Sequence, residues 1–166
     1  MDRVDAMVAA WRAEQPEMAT LPLEVVKRTA RLTARVDAAT REALTGSGIT
    51  YAEFDVLATL RRAGKPYRLT PGRLAQESML TTGGTANIVQ RLAAKGLVTR
   101  ESHPDDGRSS WVRLTPEGRA KADAVAAATT RAYGELFTAV PDTDLRHLSD
   151  TLRKVLLALG DHPLPG

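Results

Sequence analysis

The chain has 166 residues, of which 43% are hydrophobic and 4% aromatic, and its formal net charge is +3. This length predicts a single domain, residues 1–166, with a mainly aliphatic core, and the absence of cysteine excludes disulfides and cysteine-ligated metal. No apolar run is long enough to span a bilayer and no signal peptide is visible, so we expect a cytoplasmic protein without a membrane partner.

The first 48 residues are predicted to form two helices. Apolar residues recur at helical spacing near the start of the chain, and Pro16 ends that pattern. Pro22 begins a longer helix that reaches roughly Leu44, where two nearby glycines break it. The residues of the first pattern are Val4, Met7, Val8 and Trp11.

The third helix is predicted from a capping box. Thr50 is placed to cap the helix, and Glu53 completes the box three residues later. The segment 63–66 ends this helix, and residues 67–69 are a candidate short strand. The predicted buried face consists of Tyr51, Phe54, Leu57, Ala58 and Leu60.

Residues 70–96 read as a helix, a tight connection and a second helix. Thr70 caps the first of these, Pro71 to Met79, and Gly96 ends the second, Thr85 to Lys95. On the second helix we predict a core face of Ala86, Val89, Leu92 and Ala93. The opposite face carries Gly83, Asn87, Gln90, Arg91 and Ala94.

This opposite face has the chemistry of a DNA-reading surface. Amide and guanidinium groups suit base edges, and threonines beside free backbone N–H groups suit phosphates. The alternative is an ordinary amphipathic helix with a solvated polar face. The predicted base readers are Asn87, Gln90 and Arg91, and the predicted phosphate contacts are Thr81, Thr82, Thr85 and Arg73.

A β-hairpin is predicted to follow, with strands at 97–102 and 109–114. Its turn is polar, and Arg108 stands at the tip, where a guanidinium could enter a narrow minor groove. Asp106 is placed to hold Arg108 in position. The alternative is a plain hairpin whose charges are only solvated.

Two further helices are predicted after the hairpin. The first runs from Glu117 to roughly Thr138, and the second begins at Pro141 with Asp142 as its cap. Its apolar stripe needs a partner, which is either a second copy of the chain or the same subunit. The stripe consists of Leu145, Leu148, Leu152, Val155, Leu156 and Leu159.

Positive charge is concentrated in the predicted DNA-reading region. Residues 65–119 contain nine Lys or Arg and five acids, whereas the remaining residues contain 14 basic and 15 acidic side chains. A local excess of positive charge is what binding to phosphate requires.

The hairpin carries a family resemblance. Asp106-Gly107-Arg108 followed by Leu114-Thr115 fits D-x-R-x-x-x-x-x-L-T, which is typical of the MarR family of transcriptional regulators, and the segments 92–98 and 114–118 resemble the family as well. The resemblance implies a mainly α fold with a small β wing, in which residues 49–119 form a winged helix-turn-helix DNA-binding unit. It also implies a homodimer, joined through residues 1–48 and 120–160, that usually represses pseudo-palindromic operators in double-stranded DNA and often responds to a small-molecule effector.

One branch of that family, the urate-responsive regulators, resembles the chain further at its N-terminal helix and at segment 53–57. There the resemblance implies that Trp11 lines a ligand pocket and that Asp55 supplies its acidic group. The alternatives are that Trp11 only packs the extra helix and that Asp55 only stabilises a helix dipole. The branch has an arginine in the recognition helix where this chain has Ile88, which argues against urate and favours a more apolar or differently charged ligand.

Other classes of function find little support in the residues. The three histidines have no metal-binding spacing, and Gly83-Gly84 lacks the residues of a phosphate-cradling loop. We therefore expect neither an enzyme nor a cofactor. A winged helix whose polar face binds another protein, without ligand control, is the alternative function.

Overall fold

The computed structural model describes residues 1–78, 82–102 and 110–162, except for the side chain of Thr82. It confirms a mainly α fold with a small antiparallel sheet. In chain order the elements are α1 (Arg3–Glu14), a 3-10 turn (Pro16–Met18), α2 (Leu21–Leu44), α3 (Tyr51–Arg62), β1 (Arg68–Leu69), α4 (Pro71–Glu77), α5 (Thr82–Ala94), β2 (Val98–Ser102), β3 (Ser110–Leu114), α6 (Pro116–Leu136) and α7 (Asp142–Ala158).

Most helix starts follow from their caps. The Thr50 hydroxyl accepts from the Glu53 N–H, the Glu53 carboxylate accepts from the Thr50 N–H, and Thr70 caps α4 in the predicted way. Two predictions were wrong in detail. Helix α5 begins at Thr82 rather than Thr85, and Asp142 is the first residue of α7 rather than its cap, because Pro141 holds that position without a side-chain hydrogen bond.

The sheet has the strand order β1-β3-β2. Its hairpin runs from the Ser102–Ser110 pair beside the wing turn to the Val98–Leu114 pair at the far end. The wing turn itself, residues 103–109, lies outside the described residues, so the predictions for Asp106 and Arg108 do too. Strand β2 ends at Ser102 and strand β3 begins at Ser110, so the sheet flanks this segment on both sides.

The core joins α3, α4 and α5 to the sheet. Leu57, Leu60, Leu74 and Leu92 are completely buried at its centre. The predicted face of α3 was wrong at Tyr51, whose side chain is 55% exposed because this residue opens the helix. Three residues outside the predicted face are buried instead: Glu53, Val56 and Thr59.

A close contact fixes where α6 leaves the sheet. The Thr115 hydroxyl donates to the Gly96 carbonyl (2.8 Å) and accepts from the Gly118 N–H (2.9 Å). A Cβ atom at Gly118 would lie 1.8 Å from the Leu97 carbonyl oxygen. Only glycine therefore allows α6 to begin at this distance from the strand.

The N-terminal helix is held to α2 through Arg28. This guanidinium bonds Asp2 (3.0 Å) and Asp5 (2.5 Å) of the N-terminal segment and Glu24 (2.7 Å) of its own helix. These carboxylates, Glu24 first, raise the pKa of Arg28 above its usual value. Val4 and Val8 are the buried residues of α1.

The chain divides into two compact units, Met1–Tyr133 and Gly134–Gly166. The second unit contains α7, whose apolar side chains are exposed over much of their surface: Leu148, Leu152, Val155, Leu156 and Leu157. None of the described helices has the length and hydropathy to cross a membrane.

Candidate nucleic-acid interface

Helix α5 buries one side and exposes the other. The buried side consists of Thr85, Ile88, Val89 and Leu92. The prediction that Ala86 and Ala93 face the core was wrong, because both are exposed. At 100° per residue, the buried arc is turned by about 60° from its predicted position, since Ile88 offers far more apolar surface than an alanine.

The exposed side keeps the two predicted amides. Asn87 and Gln90 are exposed, and within the described part of the chain neither side chain makes a hydrogen bond. An unengaged amide on a helix surface can offer both a donor and an acceptor to a base edge. Small neighbours, Gly83 and Ala94, leave room for close approach.

A buried carboxylate organises the end of α5, and sequence reasoning missed this role. Glu53 is 1% exposed, and its Oε2 accepts from Lys95 Nζ at 2.8 Å and from the Thr50 N–H at 2.8 Å. Its Oε1 accepts from Arg91 Nε at 3.3 Å. Burial alone would raise the pKa of Glu53, but the Lys95, Thr50 and Arg91 hydrogen bonds outweigh burial and lower it.

The predicted reader Arg91 is therefore partly engaged within the protein. Its Nε is committed to Glu53, while 54% of its side chain remains exposed. Lys95 also bonds the Gly48 carbonyl at 2.9 Å, so the end of α5 is tied to the segment before α3. The arrangement fixes the orientation of α5 on the protein.

The predicted phosphate contacts have different outcomes. Arg73 is exposed on α4, with its Nε 3.2 Å from the Glu77 carboxylate. Thr85 is 1% exposed, which makes its hydroxyl unavailable to a phosphate and contradicts the prediction for its side chain. Thr81 and the side chain of Thr82 lie outside the described residues.

The base of the wing contains an ion-pair network that was not predicted. Glu101 on β2 bonds Arg113 on β3 (2.9 Å) and approaches Arg68 on β1 (3.7 Å). The Arg68 guanidinium also lies over the Trp111 ring, 4.6 Å from its centroid. These contacts link all three strands and stiffen the sheet.

Asp55, the first predicted ligand residue, lies in a half-buried cluster. Burial raises its pKa, and Arg62 opposes that shift. The pKa of Tyr51 is raised as well. Burial is the largest cause, and the charges of Asp55, Tyr133 and Asp37 act in the same direction. Within the described part of the chain the Asp55 side chain makes no hydrogen bond, so its carboxylate has no fixed partner there.

Trp11, the second predicted ligand residue, is half-buried on α1. Within the described part of the chain, no hydrogen bond joins it to Asp55. No group of three or more potential metal ligands occurs among the described residues.

The comparisons with known proteins connect this fold to DNA binding. The sequence model of the MarR family matches residues 47–109. The chain is 28% identical over 152 residues, 92% of each chain, to the HTH-type transcriptional regulator PecS of Dickeya dadantii (strain 3937). It covers 97% of a solved mutant E. coli MarR in complex with operator DNA, with a TM-score of 0.72, 25% identity and 88% of this chain aligned.

A third comparison concerns a ligand complex. The crystal structure of CouR from Rhodococcus jostii RHA1 bound to p-coumaroyl-CoA aligns with 76% of this chain and 87% of its own, at 27% identity and a TM-score of 0.65. Of these relatives, PecS is named as a transcriptional regulator and the E. coli MarR structure contains operator DNA.

Proposed function

We propose that this chain is a DNA-binding transcriptional regulator of the MarR family, and that it acts as a homodimeric repressor that binds pseudo-palindromic operators and releases them when a small molecule binds. One observation carries the DNA-reading part of this proposal. Asn87 and Gln90 stand exposed and unengaged, in the described part of the chain, on a helix whose other side is built into the core.

The proposed reading mechanism places α5 in the major groove. Asn87 and Gln90 are suited to the donor and acceptor pair of adenine, and the exposed part of Arg91 is suited to guanine. Arg73, with Thr81 and Thr82, would contact phosphates and set the register. Arg108 would enter the adjacent minor groove, with Asp106 holding it.

Operator binding by alanine variants tests this mechanism. An operator is first found by sequencing the genomic fragments that the purified protein retains. Asn87→Ala and Gln90→Ala should each weaken its binding by about 1–3 kcal/mol and relax the base preference at one position of each half-site. Fluorescence anisotropy of labelled duplex measures both effects.

A matched control uses the same change elsewhere on the surface. Gln15 is an exposed amide at the end of α1, so Gln15→Ala should leave operator affinity unchanged. Equal affinities for all three variants would mean that α5 does not read the bases.

The rival function is a winged helix that binds another protein. Neutralising phosphates releases counterions, so DNA binding should weaken linearly with salt on a log–log plot. The protein-binding function would be favoured if the chain bound a protein partner with an affinity that barely changes with salt and showed no preference for any DNA duplex.

Dimerisation is proposed to use both ends of the chain, residues 1–48 and 120–160. Helix α7 exposes a row of leucine and valine side chains that a second copy would cover. A twofold dimer would place two recognition helices about one DNA turn apart, roughly 34 Å.

Ligand control is proposed for the region of Trp11 and Asp55. Asp55 is half-buried and makes no hydrogen bond among the described residues, which leaves its carboxylate able to contact a polar ligand. The chain resembles the urate-responsive branch, but Ile88 is 6% exposed and apolar, so it offers no charge to an anion such as urate. A ligand would shift DNA affinity only by its differential affinity for two dimer shapes.

A metabolite screen tests this control. Each compound is scored by its quenching of tryptophan fluorescence, with Trp11→Phe identifying the contribution of Trp11, and by its release of labelled operator. A compound that does both, and loses both effects in Asp55→Ala, is expected. Compounds that bind without loosening DNA would contradict ligand control.

A further inference from the structure

A groove opens at the end of the sheet away from the wing. The hairpin has five residue pairs, so this end lies about 13 Å from the Ser102–Ser110 pair at the other end of the strands. The connection from α3 to β1, the strands and the start of α6 form the walls. The volume is about 640 Å³, which falls in the range of small-molecule sites.

The groove carries positive charge that the protein does not neutralise. Of its three cations, Arg113 is compensated, because it bonds the Glu101 carboxylate (2.9 Å) and the Pro66 carbonyl (3.2 Å). Lys65 and Arg119, in contrast, make no ion pair with any carboxylate in the described ranges of the chain. An anion in this groove would therefore meet two uncompensated positive charges.

The wall beside these cations is aromatic. The Arg119 guanidinium lies 5.8 Å from the centroid of the Tyr67 ring, and Arg61 lies 5.1 Å from it. Arg61 is itself held by Asp123 at 2.7 Å. Pro66, Leu114 and Pro116 extend the apolar surface.

The backbone at Tyr67 is held in an uncommon conformation. Its φ is 59°, in the left-handed region that is unfavourable for a residue with a Cβ atom. Two hydrogen bonds maintain it, because the Tyr67 N–H donates to the Gly64 carbonyl (2.6 Å) and its carbonyl accepts from the Leu114 N–H (3.0 Å). Strain that the surroundings maintain in this way is common at binding sites.

We propose that this groove binds a small organic anion with a planar apolar body. The anionic group would pair with Lys65 and Arg119, and the body would pack against Tyr67 and the neighbouring prolines. The hydroxyl of Thr99, on the exposed side of β2, lines the same groove and is available as a hydrogen-bond donor. This site is distinct from the region of Trp11 and Asp55, and its existence does not depend on DNA binding.

The test titrates 2-naphthoate into the full-length, ¹⁵N-labelled protein without DNA. We expect saturable shifts of the amides of Tyr67, Thr99, Thr115 and Arg119. The neutral isostere 2-naphthamide should bind at least about tenfold more weakly, since it lacks the charge that the two cations recognise. Inorganic phosphate should also bind more weakly, because it lacks the apolar body.

Variants localise the site. The double variant Lys65→Gln/Arg119→Gln should weaken 2-naphthoate binding about tenfold or more. Arg131→Gln is the matched control, because Arg131 is an exposed cation on the same helix as Arg119 and lies outside the groove. It should bind as the parent does, and the dispersed amide spectrum of each variant confirms that it is folded.

Four results would overturn the proposal. These are equal binding of 2-naphthoate and 2-naphthamide, equally tight binding of phosphate, shifts confined to residues outside the groove, and unchanged affinity of a folded double variant. Because no DNA is present, failure here leaves the proposed operator binding standing, and loss of operator binding leaves this site standing.

Discussion

Glu53 connects two helices across 38 and 42 residues of sequence, through Arg91 and Lys95. Its two oxygens cap α3 and fix the end of α5 at the same time. Burying a carboxylate that is 1% exposed would cost free energy without these partners. The helix cap at Thr50 therefore depends on the ion pairs with Arg91 and Lys95. Glu53 thus positions α5 without lying on that helix.

Glu53→Gln tests this role, because glutamine preserves the shape and the capping acceptor but removes the charge. Lys95 and Arg91 are 39% and 54% exposed and can be partly resolvated, so we expect a loss of about 1–3 kcal/mol in the free energy of unfolding at pH 7. Urea unfolding measures the loss. Glu42→Gln, an exposed carboxylate on α2, should change stability little.

The sign of the pH dependence follows from the lowered pKa. The contribution of Glu53 is complete above its unfolded value, near 4.5, and is lost as the pH falls below that value through the folded pKa. The difference in the free energy of unfolding between the parent and Glu53→Gln should therefore shrink as the pH is lowered below about 4.5. A difference that stays constant on acidification would mean that the charge of Glu53 contributes nothing.

At the scale of elements, local signals predicted the starts of helices, whereas long-range contacts determined which side chains are buried. Thr50 and Thr70 predicted the starts of α3 and α4, because a cap acts within three residues. The buried arc of α5 was misplaced because alanine is compatible with either environment. Only the surrounding core shows that Ile88 and Thr85 lie inside.

The same distinction applies to the candidate site. The exposure of Asn87 and Gln90 was predictable from helical periodicity, and it agrees with the structure. The pairing of Glu53 with Arg91 and Lys95 was not, because nothing local relates residues so far apart. The available signal was a pair of cations four residues apart near the end of α5, since side chains at that spacing share one face of a helix and can bind the same carboxylate.

Gly118→Ala tests the junction between the sheet and α6. The new Cβ would meet the Leu97 carbonyl oxygen at 1.8 Å, and backbone on both sides must move. We expect a loss of about 1–3 kcal/mol despite the better helix propensity of alanine. Thermal or urea unfolding measures this loss.

Gly134→Ala is the control within the same helix. Nothing lies within 4 Å of a Cβ there, so alanine should stabilise the protein by about 0.5–1 kcal/mol through helix propensity alone. Equal effects of the two substitutions would show that the contact at Leu97 does not limit the position of α6.

At the scale of the whole molecule, the proposed function requires a second copy of the chain. One α5 would cover only one half-site, and a pseudo-palindrome is read by two such helices related by a twofold axis. The exposed apolar side chains of α7 are the feature of the second unit that most needs a partner, because contact between leucine or valine side chains and water is unfavourable. Dimerisation and operator affinity should therefore change together.

Leu152→Glu separates these properties from folding. Leu152 and Leu156 are 37% and 47% exposed in the single chain, and a carboxylate between two copies would be desolvated without a partner. We expect a folded monomer by sedimentation, with operator affinity reduced at least about tenfold because the second reading helix is lost. Circular dichroism verifies that the helices persist.

Lys154→Glu is the matched control, since it places the same carboxylate on the opposite face of α7, two residues away. It should remain dimeric and bind the operator with little change. A Leu152→Glu variant that stays dimeric would exclude this face of α7 from the interface. A variant that becomes monomeric yet binds the full operator as tightly as the parent would mean that each chain reads DNA alone, and the twofold arrangement would then have no role in recognition.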